Sequence, residues 1–129
     1  MIVEGTAGNT GIGLARAGAV FGYDCVIVIP DTQSPEKKAA LRQAGAHLIE
    51  VPVAPYKEAG NFVKVARRLA ATLRDGHGFR AFCADQFDNL DNRRAHVEGT
   101  GPEIWRQTNG ELDAPVKIAA EHFFQIERR

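Results

Sequence analysis

A chain of 129 residues, 44% hydrophobic and 25% charged, suits one globular domain with a single core. Lys+Arg and Asp+Glu both total 16, so no global pull toward nucleic acid or anionic lipid follows, and the arginine pairs Arg67-Arg68, Arg93-Arg94 and Arg128-Arg129 read as solvated faces. No apolar run approaches the roughly 20 residues of a membrane span, no basic region marks a signal peptide, and Cys25 and Cys83, in strand-like runs, suit a reducing cytoplasm.

Residues 1–4 are apolar and predict a short strand ending at Gly5. Residues 10–22 carry one charge, Arg16, and otherwise small and apolar residues, which predicts a helix buried on nearly every side and stopped at Gly22. Cys25-Val26-Ile27-Val28-Ile29 is unbroken and largely β-branched, as in a parallel strand covered on both faces. Ser34-Pro35-Glu36 opens a helix with serine as N-cap and proline at the first position. Leu41 and Ala44 belong to its inner face, and Gly45 fits just past its end.

His47-Leu48-Ile49-Glu50-Val51 reads as a third strand. Phe62, Val65, Ala66, Leu69, Ala70 and Leu73 then recur at helical spacing, with Lys64, Arg67, Arg68 and Arg74 opposite. Asp75-Gly76-His77-Gly78 predicts a turn and residues 79–84 a fourth strand. Strands alternating with helices imply a parallel sheet. The fold class is therefore α/β, three-layer α/β/α with a four-stranded parallel sheet over residues 1–84. Residues 85–114 read as a helical exit segment, helical from about Leu90 to Glu98 and interrupted by Gly99. Thr100 and Glu103 stand at capping-box spacing for a short helix through Trp105, whose ring suits core or domain-interface packing. The tail, 115–129, carries Ile118, His122 and Ile126 on one side of a further helix.

The densest stretch is Gly5-Thr6-Ala7-Gly8-Asn9-Thr10-Gly11-Ile12-Gly13, between the first strand and the first helix. Its glycines permit tight turns and close approach by a ligand, and the helix start offers unpaired N–H groups to a phosphate or carboxylate. Thr6, Asn9 and Thr10 add polar side chains there. Two readings compete. One is dinucleotide binding: residues 6–13 nearly match a Thr-Gly-x-x-x-Gly-Ile-Gly loop, and Asp31 lies about 20 residues on, where an acid takes a ribose hydroxyl. Ala7 in place of glycine, Pro30 before the acid and the absence of a Tyr-x-x-x-Lys pair count against it.

The other reading rests on a family resemblance. The stretch Val3-Glu4-Gly5-Thr6-Ala7-Gly8-Asn9-Thr10-Gly11 resembles the substrate loop of cysteine synthases (O-acetylserine sulfhydrylases), which are tryptophan-synthase-β-like, fold-type II pyridoxal-phosphate enzymes. Val28-Ile29-Pro30, Leu41-Arg42-x-x-Gly45-Ala46, Ala84-Asp85-Gln86-Phe87-Asp88-Asn89, Asn92-Arg93-x-Ala95-His96 and Thr100-Gly101-Pro102-Glu103-Ile104-Trp105 match the family in order. The resemblance covers about residues 2–114 and implies the smaller domain of such an enzyme. It implies pyridoxal 5'-phosphate as cofactor and an amino-acid substrate such as O-acetylserine, with sulfide replacing acetate. By the same resemblance Asn9 contacts the cofactor's ring hydroxyl. Thr6, Ala7, Gly8 and Thr10 close on the substrate carboxylate, which Gln86 helps to hold. Ala7 stands where the family commonly has serine.

The family's Schiff-base lysine sits in a Ser-x-Lys-Asp-Arg-like segment, and its cofactor phosphate in a Gly-Ser/Thr-Gly-Gly-Thr loop. Neither is found here, and Lys37, Lys38, Lys57, Lys64 and Lys117 lack the context. The expectation is a partial chain, inert alone, with no catalytic residue of its own and an exposed domain face that invites self-association. A non-catalytic interaction module is the remaining alternative. His47, His77, His96 and His122 show no metal-ligand spacing. Asp85, Asp88 and Asp91 read as caps or surface acids, and strand-borne Cys25 and Cys83 make poor nucleophiles.

Overall fold

The computed structural model describes residues 1–111 of the chain. The chain forms two compact units, Met1–Phe87 and Asp88–Arg129. In the first, β1 (Ile2–Gly5), β2 (Cys25–Pro30), β3 (Ala46–Val51) and β4 (Phe82–Cys83) make a four-stranded sheet in the order β3-β2-β1-β4. All its pairings are parallel. The crossovers are α1 (Asn9–Phe21), α2 (Pro35–Gln43) and α3 (Phe62–His77).

Successive strand residues point to opposite faces, so the core is double. On one face Cys25, Ile27 and Ile29 pack with Ala15 of α1 and Leu41 of α2. On the other, Val3 and Val28 meet Ala66 and Ala70 of α3. This is the expected three-layer α/β/α arrangement, and it explains the unbroken apolar run of β2, whose two faces are both covered.

The helix ends follow local chemistry. Ser34 Oγ accepts from Lys37 N at 3.4 Å with Pro35 at the first position, and Gly45 takes φ +93° beyond the end of α2. Asn61, which the sequence reading passed over, is the buried cap of α3. Its Oδ1 accepts from Val63 N at 3.1 Å, and its Nδ2 donates to the Ala54 carbonyl at 2.8 Å. On the surface, Lys38 and Arg42 of α2 hold Glu50 of β3 at 2.7 and 3.0 Å.

Several expectations need correction. Helix α1 is not buried all round: Gly11, Ala15 and Gly18 are covered, while Val20 and Phe21 are 80% and 73% exposed. Within this unit only one flank of α1 has a sheet to pack on. The expected turn at residues 75–78 is helix as far as His77. The helix stops at Gly78 (φ +68°), where Phe79 N donates to the Leu73 carbonyl at 3.0 Å. Strand β4 is two residues long because the preceding chain folds back, Ala81 N donating to the Phe79 carbonyl at 2.9 Å. The Met1 amino terminus donates to the Arg80 carbonyl at 2.9 Å, and regular pairing starts at Phe82, whose N donates to the Met1 carbonyl at 3.0 Å.

The second unit, as far as described, is helical. Asn89 caps α4 (Leu90–Ala95), accepting from Asp91 N at 2.9 Å. Gly99 does not break the run: a wider π-helical turn, His96–Thr100, carries it into α5 (Gly101–Gln107). Thr100 is itself helical (φ −60°, ψ −41°), and its Oγ1 lies 3.0 Å from His96 Nδ1. The capping box with Glu103 therefore does not form. Trp105 is 59% exposed and lies against Gly110, not in a core. The helix expected after Pro115 falls outside the described residues. Among the described residues no helix is long and apolar enough to cross a membrane.

The packing separates two glycines by what a side chain at each would meet. A Cβ at Gly5 would sit 2.6 Å from Val63 Cα and 2.7 Å from the Phe62 carbonyl oxygen, whereas one at Gly13 meets nothing within 4 Å. Gly5→Ala is expected to destabilise by roughly 1–3 kcal/mol. Gly13→Ala is expected to stabilise by about 0.5–1 kcal/mol, both read from urea unfolding. For Glu50, hydrogen bonds from Lys38 and then Arg42 hold the carboxyl below its ordinary 4.5. A folded pKa below the unfolded one adds stability that is complete above pH 4.5 and lost as pH falls through the folded value. Glu50→Gln is expected to flatten that acid limb of the stability profile and leave the limb above pH 5 parallel to the parent's.

Candidate functional site

The strand order places β1 between β2 and β4. The chain winds outward from β1 through β2 to β3, then returns to the other side of β1 as β4. In open parallel sheets such a reversal leaves a ligand crevice outside the strands' carboxyl ends. The turn leaving β1 is the glycine-rich stretch, and the turn leaving β4 is Asp85-Gln86.

On the β1 side, Thr6 is 2% exposed. Its N donates to the Val28 carbonyl at 3.1 Å, and its Oγ1 accepts from Gly8 N at 3.3 Å. The Thr6 hydroxyl thus shapes the turn from within. Ala7 is half-buried, and Gly8, Asn9 and Thr10 are exposed. Gly8 starts α1 without a side-chain cap, and the first turn of α1 has no acidic residue. Gly11 N donates to the Gly8 carbonyl at 3.3 Å, and the exposed Asn9 and Thr10 stand at the positive end of the helix dipole.

Three glycines of this stretch differ in what surrounds them. A Cβ at Gly11 would come 2.8 Å from Thr6 Cγ2 and 2.9 Å from Leu41 Cδ2, while one at Gly8 meets nothing within 4 Å. Gly5 and Gly11 let elements of the chain approach each other. Gly8 has open space beside it.

On the β4 side, half-buried Gln86 is tied to β1 by a residue the sequence reading did not single out. Glu4 is 1% exposed, and its carboxylate accepts from Asp85 N at 2.6 Å and Gln86 N at 3.3 Å. Burial pushes the Glu4 carboxyl above its ordinary pKa; the two amides and the charge of Arg67 pull it back, against the nearby Asp85. Asp85, expected as a cap or surface acid, adopts φ +52° and receives Arg67 of α3 on Oδ1, from Nε at 3.1 Å and Nη2 at 2.6 Å. A charged residue inside a strand covered on both faces is the signal that marks Glu4.

The other candidates lie elsewhere. Asp31, the acid of the dinucleotide reading, follows Pro30 on the exposed rim of β2–β3, its N donating to the Val51 carbonyl at 2.8 Å. Lys37 donates to Gln33, Lys38 to the Asp31 carbonyl and Glu50, and Lys64 to the Lys57 carbonyl, so these amines are engaged away from the glycine turn. Cys25 is buried, its thiol pushed up to about 11, and Cys83 is raised by burial as well. Neither is a ready thiolate. Among the described residues no group of three or more His, Cys, Asp or Glu could hold a metal.

Residues 1–119 match the family described as pyridoxal-phosphate dependent enzyme. Cysteine synthase 1 of Emericella nidulans is 50% identical over 113 residues, covering 88% of this chain and 29% of its own. Cysteine synthase B of Pseudomonas syringae pv. syringae is 46% identical over 110 residues, 84% of this chain and 60% of that sequence. Two solved structures superpose well. The cysteine synthase of Entamoeba histolytica gives a TM-score of 0.68 at 39% identity, over 87% of this chain and 31% of that one. A hydrogen sulfide-producing enzyme of Fusobacterium nucleatum gives 0.69 at 33% identity, over 84% and 30%. The chain thus spans under a third of most of these relatives. With its parallel sheet, its glycine turn and this span of matching sequence, the chain belongs to the family of pyridoxal-phosphate dependent enzymes.

Proposed function

We propose that this chain forms the amino-acid-gripping half of a cysteine-synthase-type site, and that it is catalytically inert by itself. The observation that carries the reading is the uncapped, exposed start of α1 beside Gln86 at the carboxyl ends of β1 and β4. Its likeness to cysteine synthases supports an amino-acid substrate such as O-acetylserine.

In this reading the amides of the turn and the Thr10 hydroxyl receive the carboxylate of O-acetylserine, where charge-assisted hydrogen bonds are strongest. Gln86 donates from the opposite strand end and fixes the direction of the acid group. Thr6 holds the turn open from beneath through Gly8 N. Asn9, exposed at the first position of α1, would hold the cofactor's ring hydroxyl. Pyridoxal phosphate, when bound, supplies the electron sink that lets sulfide replace acetate. The part of the site described here fits the substrate side of that group. The engaged lysines supply no amine to anchor it.

Nuclear magnetic resonance on the 14.0 kDa chain tests the proposal. O-acetyl-L-serine is expected to shift the amides of residues 7–10 and the Gln86 side chain, and its methyl ester to leave them in place. Gln86→Ala is expected to weaken that binding roughly tenfold. Equal shifts from acid and ester would overturn the carboxylate grip. With pyridoxal phosphate and sulfide, no cysteine and no borohydride-fixed adduct at a single lysine are expected; finding both would overturn the inert reading.

A further inference from the structure

We propose that Glu4, Asp85 and Arg67 form a positioning device that presents Gln86 to the ligand, with Glu4 as its anchor. The inference rests on the role given above to Gln86. Glu4 lies one residue before the glycine turn, and its two carboxylate oxygens take consecutive backbone amides, Oε2 from Asp85 and Oε1 from Gln86. These partners stand 81 and 82 residues away in sequence. Because both amides converge on one carboxylate, the two successive peptide groups that flank Asp85, Ala84–Asp85 and Asp85–Gln86, are each held to β1. The Gln86 side chain then leaves the backbone in a set direction.

A left-handed backbone at a non-glycine residue is strained and persists only where its surroundings over-determine it. Asp85, at φ +52°, is held on two sides: its N by Glu4 and its Oδ1 by the Arg67 fork. Arg67 sits in the middle of α3, a helix packed on β1, so the fork refers the turn to the same core that carries the glycine loop. The two ligand-facing turns thereby share one reference point. Around Glu4 the titratable and charged neighbours are Arg67 on α3, Asp85 after β4, Cys83 in β4 and Cys25 in β2.

The full 129-residue chain, ¹⁵N-labelled, serves for the test, first without ligand. The parent is expected to show protected Asp85 and Gln86 amides whose shifts move together as Glu4 titrates, above the ordinary 4.5. In Glu4→Gln one oxygen becomes an NH₂ that faces an N–H, and protection of these amides is expected to fall about tenfold while those of Ile27 and Val28 hold. O-acetylserine affinity is expected to fall about tenfold in parallel. Arg67→Lys and Asp85→Asn, at partly exposed positions, keep the fold if Glu4→Gln does not, and are expected to weaken O-acetylserine several-fold with unchanged unfolding midpoints. Unchanged protection in Glu4→Gln, or O-acetylserine affinity indifferent to Arg67→Lys and Asp85→Asn, overturns the positioning role alone. Failure of the parent to bind O-acetylserine while the two amides stay protected overturns the grip itself, and the device with it.

Discussion

A carboxylate shut away from water must find donors inside the protein or give up its charge, since leaving it unpaired costs several kcal/mol. Glu4 meets that demand with the amides of Asp85 and Gln86. The constraint reaches well beyond one strand. It decides where the chain must arrive after α3, how the turn beyond β4 is bent, and how close that turn lies to the glycine loop.

The rest of the first unit is arranged to make this meeting geometrically reliable. Gly5 brings β1 within touching distance of the start of α3, and Gly11 brings α1 down onto Thr6 and Leu41. Asn61 ends the long loop before α3 with a buried cap. The Gly5 contact is with backbone atoms of Phe62 and Val63, which tolerate little movement in a densely packed interior. At the carboxyl ends of β1 and β4 the polar α1 start is exposed, and so is the ring of Phe87, next to Gln86.

Much of this was legible in the residues because the signals were strong and local. The β-branched run of β2, the serine and proline at the start of α2 and the stripe along α3 each encode an element by themselves. Where the reading failed, the deciding contact lay elsewhere. The length of β4 depends on a backward turn at residues 79–81, and Thr100 is absorbed into a helix by His96 through a π-helical turn. Low charge along α1 predicts burial on all sides, but apolar content alone does not say how many neighbours a helix has. For the candidate site, the glycine turn announced itself by composition and Gln86 by resemblance. Glu4 and Arg67 did not, because their partner Asp85 is close only after the sheet has closed.

That closure ties the fate of the shortest strand to the most central one. Two ladder residues would ordinarily fray with little penalty. Peeling β4 away here strips an interior anion of its donors and releases the Arg67 fork in the same motion, so the edge cannot loosen by degrees. The last strand of the sheet in chain order is thus tied to the first through Glu4, and the turn beyond it shares that tie.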